Sequence, residues 1–480
     1  MPRLDLSRST VAAPAMAVLA GSVSALAGTL AVRILMARAL APAELGLVLL
    51  GIAVVSALGG VAGLGLATAA AERVARLRAG GDGEAARRCA ASAVRLGLGS
   101  GAAMTALVVA AALLVPFPAR FATLPETLLV LAPVVLALAV GVATLGAARG
   151  HGDTFGRAVL RDGGGGALRA LAVGVAVLAG GGRLAVAAGF ALGSVLAESL
   201  FVVYAARRGF LDTAEGIAAD RGLSAMLPPF VVIEACSQLA AWMDVLLLGV
   251  FAPVAVVGVY GVARGLTKAP QLALASVAHS FLPQAAAFGS GPELARLYGR
   301  SKLLTYALVW PAVVAFLLLP EVVLQLLFGA AYAGGAGPLR ILGIALALDW
   351  LAVGKDTTLV AGGWNSAVSR VTGAATLGGV AAGLGLMPSL GATGAALAIL
   401  VMAGGRTLGL SVALARREPT PLLRHDLPMP VVAGVLAALA AAAGPASLLA
   451  RLVGAGAAAA VGSGLAVGSL WRGRQPAPAR

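Results

Sequence analysis

The chain has 480 residues, a formal net charge of +15, 60% hydrophobic and 11% charged residues, and a mean hydropathy of +0.97. So much apolar surface excludes a soluble protein of this length, and the absence of alternating apolar and polar residues excludes a closed β-barrel. The basic residues are scattered between apolar spans rather than gathered on one face, which argues against a nucleic-acid partner and for loop charges that orient a membrane protein.

The N-terminal stretch MPRLDLSRSTVAAPAMAVLAGSVSALAG imitates a secretory signal, with a basic start, an apolar run and an Ala-x-Ala-like end. The run continues through Leu35, too long for a signal core, so it reads as a first, uncleaved transmembrane helix. Apolar stretches of about 20 residues, each long enough to cross a bilayer, then recur along the chain. Charged or turn-rich breaks divide them into fourteen expected helices, at 12–37, 45–69, 92–115, 127–148, 164–181, 184–206, 225–251, 254–285, 303–328, 338–362, 364–387, 391–415, 428–443 and 446–471. Gly and Ala richness fits close packing of such helices. The two cysteines, Cys89 and Cys236, occur in unrelated contexts and imply neither a disulfide framework nor a metal site.

The loops between these helices take alternating sides. One set holds groups such as Arg73, Arg76 and Arg78, Arg149, Arg157 and Arg161, Arg207 and Arg208, Arg296, Arg300 and Lys302, and Arg416 and Arg417. The opposite set holds little beyond Arg38, Arg120, Arg183, Arg340 and Arg451. This asymmetry places the first set, with both termini, in the cytoplasm, and the chain as a multi-pass protein in the cell inner (cytoplasmic) membrane.

Two segments repeat. In RILMARALAPAELG from Arg33 and DVLLLGVFAPVAVVG from Asp244, a charged residue precedes by nine positions the proline of an Ala-Pro turn, Pro42 or Pro253. A glycine follows each, Gly46 and, one residue later in register, Gly258. The expectation is an N-terminal six-helix lobe (1–206), a cytoplasmic linker (207–224), a C-terminal six-helix lobe (225–415), and two extra helices with a tail (416–480). Parallel repeats of this kind belong to transporters that alternate access between two faces.

ARALAPAELGLVLL (37–50), GLGLATAAAERVAR (63–76), DVLLLGVFAPVAVVGVYGVARGL (244–266), SFLPQ (280–284), PEVVLQLLFGAAYAGGAGPLRIL (320–342) and PSLGATGAALA (388–398) carry a resemblance over nearly the whole chain. Their order resembles that of the oligosaccharide flippases, the O-antigen and exopolysaccharide type of the MOP superfamily. That superfamily also contains lipid II flippases and MATE drug exporters. The resemblance implies an all-α polytopic fold with two bundles around a central cavity, lined prominently by the first, second, seventh and eighth helices. It also implies transfer of an undecaprenyl-diphosphate-linked glycan from the cytoplasmic to the outer leaflet. Polysaccharide polymerase and glycosyltransferases are then candidate partners beside the lipid bilayer, and no cofactor is expected. The first helix, LAGTLAVRILMARAL, is less charged than is usual in the lipid II branch, which favours the polysaccharide branch.

Charges inside spans cost about 2.5–3.5 kcal/mol each at a helix centre, so each calls for a reason. Arg264 and Lys268 stand four apart on the eighth helix, with Gln271 on the same stripe and no acid between Gly258 and Pro283. Two readings apply: a site for the pyrophosphate, or a structural pair with Asp244 or Glu234 of the preceding helix. Arg33 offers a second phosphate contact, or snorkels outward, while Asp244 tunes or pairs a cavity cation. Asp356 and Arg370 lie at one depth and are expected to form a structural ion pair. Glu198 and Arg406, deep in the sixth helix of each lobe, have no assignment from sequence.

GGGG (163–166) is no phosphate-binding loop, because no Gly-Lys-Ser/Thr follows. Three distant histidines and no nucleophile–base spacing leave no visible catalytic machinery, so an enzyme is not expected. His279 reads as a packed polar residue rather than a proton relay. The sequence thus points to a lipid-linked oligosaccharide flippase. The alternatives are a lipid II flippase or a cation-coupled MATE-type exporter, and behind these a glycan polymerase, which would need a large outer loop.

Overall fold

The computed structural model describes residues 8–153, 155–211, 220–288 and 291–417. The helices expected at 428–443 and 446–471, both termini and much of the linker lie outside the described residues. Within them the chain is helical, without a strand. The helices are α1 (Arg8–Ala39), α2 (Pro42–Ala62), α3 (Leu66–Ala79), α4 (Gly83–Leu114), α5 (Leu124–Leu131), α6 (Pro133–Gly150), α7 (Gly165–Leu178) and α8 (Arg183–Arg207). They continue with α9 (Arg221–Phe251), α10 (Val254–Phe288), α11 (Pro292–Leu318), α12 (Pro320–Phe328), α13 (Ala336–Ala352), α14 (Lys355–Ala361), α15 (Asn365–Leu390) and α16 (Ala392–Arg417). Nine stretches among the described residues are long and apolar enough to cross a membrane. The protein is an all-α polytopic membrane protein, and each span expected before residue 417 corresponds to one helix or to a broken pair.

Helix ends follow local chemistry. Pro42, Pro133, Pro292 and Pro320 open their helices, where a missing N–H costs nothing. Asp82 caps α4, its carboxylate accepting the Ala85 amide at 2.8 Å.

Several spans depart from their expected form. The second does not stop at residue 69: Leu64 and Gly65 take left-handed backbone (φ 51° and 68°), α2 ends there, and α3 carries on to Ala79. The fifth begins earlier than 164, because Arg157–Gly164 form a π-helical segment that runs into α7. Arg157 and Arg161, expected in a loop, therefore stand on a helix. The tenth, expected unbroken over 338–362, is interrupted: α13 ends at Ala352, Gly354 takes φ 87°, and α14 starts at Lys355.

Lys302 explains why that break survives. It too was expected in a loop, yet it is 3% exposed within α11. Its Nζ donates to the carbonyls of Trp350 at 2.8 Å and Leu351 at 2.9 Å, the last turn of α13. The rings of Trp350 and Tyr298 lie 4.8 and 5.5 Å from the ammonium. Carbonyls orphaned by a helix end and two aromatic faces replace the water that a buried ammonium would otherwise need.

The described residues fall into two compact units. The first runs to Gly249 and takes in Pro253–Gly258; the second comprises Val250–Ala252 and continues from Val259. In the first, Leu66, Ala70, Val74, Ala90, Ala143 and Ala147 form a core of small side chains between α3, α4 and α6. Backbones come close enough that a methyl on Gly46 would overlap the Val254 carbonyl, and one on Gly258 the Pro42 carbonyl. The contact is reciprocal, and only glycine allows it at both ends. In the second unit Tyr306, Trp310 and Trp350 pack ring to ring at 5.1–5.8 Å, and Trp350 Nε1 donates to Thr305 Oγ1 at 3.0 Å.

Candidate functional site

In the second unit α10 has no carboxylate of its own. The four-residue spacing of Arg264 and Lys268, with Gln271 three further on, sets all three on one face. Arg264 is 6% exposed. Its Nη1 donates to Thr267 Oγ1 at 2.9 Å and to Gln271 Oε1 at 3.4 Å, while the Thr267 hydroxyl donates to the Arg264 carbonyl at 2.9 Å. The amide of Gln271 then passes the network on, Nε2 donating to Asp349 Oδ2 of α13 at 2.9 Å. Lys268 is half-buried on the same helix.

An acid therefore does join these cations, at one remove and from another helix. Asp349 lies within electrostatic range of Arg406, Arg264 and Lys268. Sequence spacing does not bring Asp349 here, because the contact joins residues 78 apart through a glutamine. The arrangement brings a guanidinium fork and an ammonium to one face of the helix, donors of the kind that hold an oxyanion.

The expected pair of Asp356 and Arg370 is not formed. Asp356 Oδ2 instead meets Arg406 Nη2 of α16 at 2.7 Å. Arg370 lies on the exposed face of α15, its Nε donating to the Ser366 carbonyl one turn back at 3.2 Å. The reason is which face packs: α16 turns Thr407 onto the Leu348 carbonyl of α13 at 2.7 Å, and the same side brings Arg406 to Asp356. Next to it Lys355, also buried, donates to Ser411 Oγ at 2.8 Å.

Arg33 and Asp244 belong to the first unit. Arg33 is half-buried on α1. Asp244 is 1% exposed on α9, with Oδ1 accepting the Val245 amide at 2.9 Å. Glu198, unassigned from sequence, accepts from Arg161 Nε at 3.0 Å. The side chain of His279 lies outside the described residues.

No curated protein matches the sequence. Among solved structures, the chain is similar to the lipid II flippase MurJ in its inward closed conformation, at 14% identity and a TM-score of 0.73, over 95% of this chain and 99% of that one. It is also similar to an inward-facing multidrug resistance MATE family transporter of the MOP superfamily (20% identity, TM-score 0.67, 82% and 94% covered). A MOP superfamily transporter from Pyrococcus furiosus matches at 19% identity and a TM-score of 0.54, over 84% of this chain and 96% of that one. At these identities the likeness shows the fold that the three share. The profile of the family described as polysaccharide biosynthesis protein matches residues 15–287, more than half of the sequence. The chain belongs to the polysaccharide biosynthesis protein family.

Proposed function

We propose that the protein is a flippase that carries a polyprenyl-diphosphate-linked oligosaccharide from the cytoplasmic to the outer leaflet of the inner membrane by alternating access. One observation carries the reading: in a member of this family, a membrane helix free of acids buries Arg264 and holds Lys268 one turn away. A diphosphate brings about two negative charges, and a guanidinium fork with an ammonium offsets the cost of drying them. Gln271 and Asp349 position Arg264 and temper the charge. The prenyl tail stays in lipid while the head group crosses.

The test is deletion of the gene in its host, with lipid-linked glycans extracted and their sidedness read by an impermeant lectin or glycosidase. Complete units accumulating on the cytoplasmic face support the reading, and Arg264→Ala with Lys268→Ala in a well-expressed protein reproduces that accumulation. Normal export by the double variant refutes the site. A lipid II flippase would keep the same diphosphate chemistry, and accumulation of lipid II alone would select it. New drug sensitivity with unchanged lipid-linked glycans would select an exporter, and unpolymerised units on the outer face an enzyme.

A further inference from the structure

We propose a second oxyanion site, inside the first unit, built by Arg149, Arg157, Arg161 and Arg169. Arg157 and Arg161 stand on the π-helical segment, Arg169 on α7, and Arg149 at the end of α6. Positions 157, 161, 165 and 169 fall four apart, and position 165 is glycine. A Cβ at Gly165 would lie 3.6 and 3.7 Å from the two terminal nitrogens of Arg169. The Arg169 guanidinium therefore folds back over that glycine toward Arg161, as side chains on a helix lean toward its N-terminus.

Two carboxylates answer four guanidiniums. Glu198 takes Arg161 at 3.0 Å, and Asp162 takes Arg157 at 3.4 Å. Arg149 is within electrostatic range of Arg157, Arg161 and Asp162, and Arg169 of Glu198, Arg161 and Asp162. The side chains of Arg149 and Arg169 make no hydrogen bond or ion pair among the described residues, although both residues are half-buried. Arg169 stands about 20 Å from the start of the helical run at Phe155 and about 14 Å from its end at Leu178, by the usual rise, and so near its middle.

The surrounding packing is made for this cluster. A methyl at Gly141 of α6 would overlap Glu198 Oε2, so glycine there gives the carboxylate its place. The GGGG run serves helix contact: Gly163 and Gly166 lie against Gly21 and Ala25 of α1. π-Helical turns concentrate at functional sites, and this one puts two arginines on a single face. Two surplus guanidinium forks in a membrane bundle suit a phosphate or a carboxylate, which they can grip in bidentate fashion. If the protein transports as proposed above, that oxyanion is either the lipid diphosphate or a uronic acid of the glycan. The anion binding itself does not depend on the transport reading.

The experiment titrates inorganic pyrophosphate and, separately, glucuronate into full-length protein in detergent, read by calorimetry and thermal shift. It uses the R264Q/K268Q variant, in which any diphosphate site on α10 is gone, with and without R149Q or R169Q. We expect at least one anion to bind R264Q/K268Q and each further substitution to weaken it about 10- to 100-fold, as loss of a charge-assisted contact does. R169K should fall between, keeping the charge and losing the fork. Pyrophosphate binding alone identifies the lipid diphosphate as cargo contact, and glucuronate binding an acidic sugar. A monodisperse R149Q or R169Q form with unchanged affinity overturns the site, as does an R264Q/K268Q protein that binds neither anion. Should R169Q fail to fold, R149Q on the neighbouring helix decides. A host deletion that leaves lipid-linked glycans untouched would sink the transport reading while this binding result stood.

Discussion

The pairing of Asp356 with Arg406 rather than Arg370 can be tested by stability alone. The Oδ2–Nη2 separation is 2.7 Å, and the two side chains keep 23% and 30% of their surface exposed. Removing one partner of a fully buried pair costs about 3–5 kcal/mol, and an exposed pair is worth about 1 kcal/mol or less. Partial exposure places each single substitution here between those limits, at about 2–3 kcal/mol. Asp356→Asn should sit at the upper end, since it strands Arg406, whose Nε is already buried without a hydrogen bond. Arg406→Gln should cost less, because Asp356 Oδ1 still accepts from the Thr357 amide at 2.8 Å and from the Thr357 hydroxyl at 3.2 Å. The double variant should recover about 1–2 kcal/mol of the summed loss. Arg370→Gln should stay within about 0.5 kcal/mol, as an exposed side chain tied only to its own helix. Unfolding in mixed micelles with rising SDS, followed by helical circular dichroism, measures all four. An Arg370→Gln loss equal to that of Arg406→Gln, or strict additivity in the double variant, would refute the argument.

Lys302→Met strips two donors from the end of α13 and should cost about 1–3 kcal/mol in the same unfolding assay, with the Trp fluorescence of the 310–350 cluster shifting as packing loosens. Gly46→Val should destabilise the first unit by about 1–3 kcal/mol, since it drives a side chain into the Val254 carbonyl, whereas Gly180→Ala, with open space beside it, should cost less despite its φ of 70°. His151 lies just past the end of α6, stacked on Phe210 at 4.9 Å, and burial, then the charge of Arg78, holds its imidazole below the usual range. The unfolded chain then binds a proton that the fold resists, so stability falls as the pH drops through the ordinary histidine value of about 6.5. Melting temperatures between neutral and mildly acidic pH should show that slope in the wild type and less of it in His151→Gln.

The helices were legible because lipid imposes one rule over the whole chain: the backbone must satisfy itself inside each apolar run. Where that rule was relaxed the sequence misled. Lys302 and Arg161 looked like loop charges because charge usually marks the end of a span, yet each is held inside by partners distant in sequence. Lys302 has the carbonyls of residues 350 and 351, and Arg161 has Glu198. The spacing of Arg264, Lys268 and Gln271 was readable because it lies on one helix. The link from Gln271 to Asp349 was not, since it depends on how α13 packs against α10. Depth alone pointed Asp356 to Arg370 and left Arg406 unassigned, and it is the choice of packed face that gives Asp356 to Arg406.

Irregular backbone and buried charge coincide in both units, and the coincidence has a physical cause. A straight helix in lipid uses all its own carbonyls and amides and has nothing to offer a charge. A broken one does. At the end of α13 free carbonyls meet the ammonium of Lys302, and at the start of α14 the Asp356 carboxylate accepts the amide of Thr357. A cation thus faces the carbonyl end of one half and an anion the amide end of the next, the arrangement that helix dipoles favour. Gly354 makes the turn between them, and a side chain there would meet both a left-handed φ of 87° and the Tyr298 ring at 3.0 Å. The π-helical segment plays the corresponding part in the first unit, where its widened turn carries Arg157 and Arg161 beside Glu198 and Asp162. Healing either irregularity would strand its charges, and neutralising the charges would strand the backbone. Each is kept by the other, so a substitution at one should be measured at both.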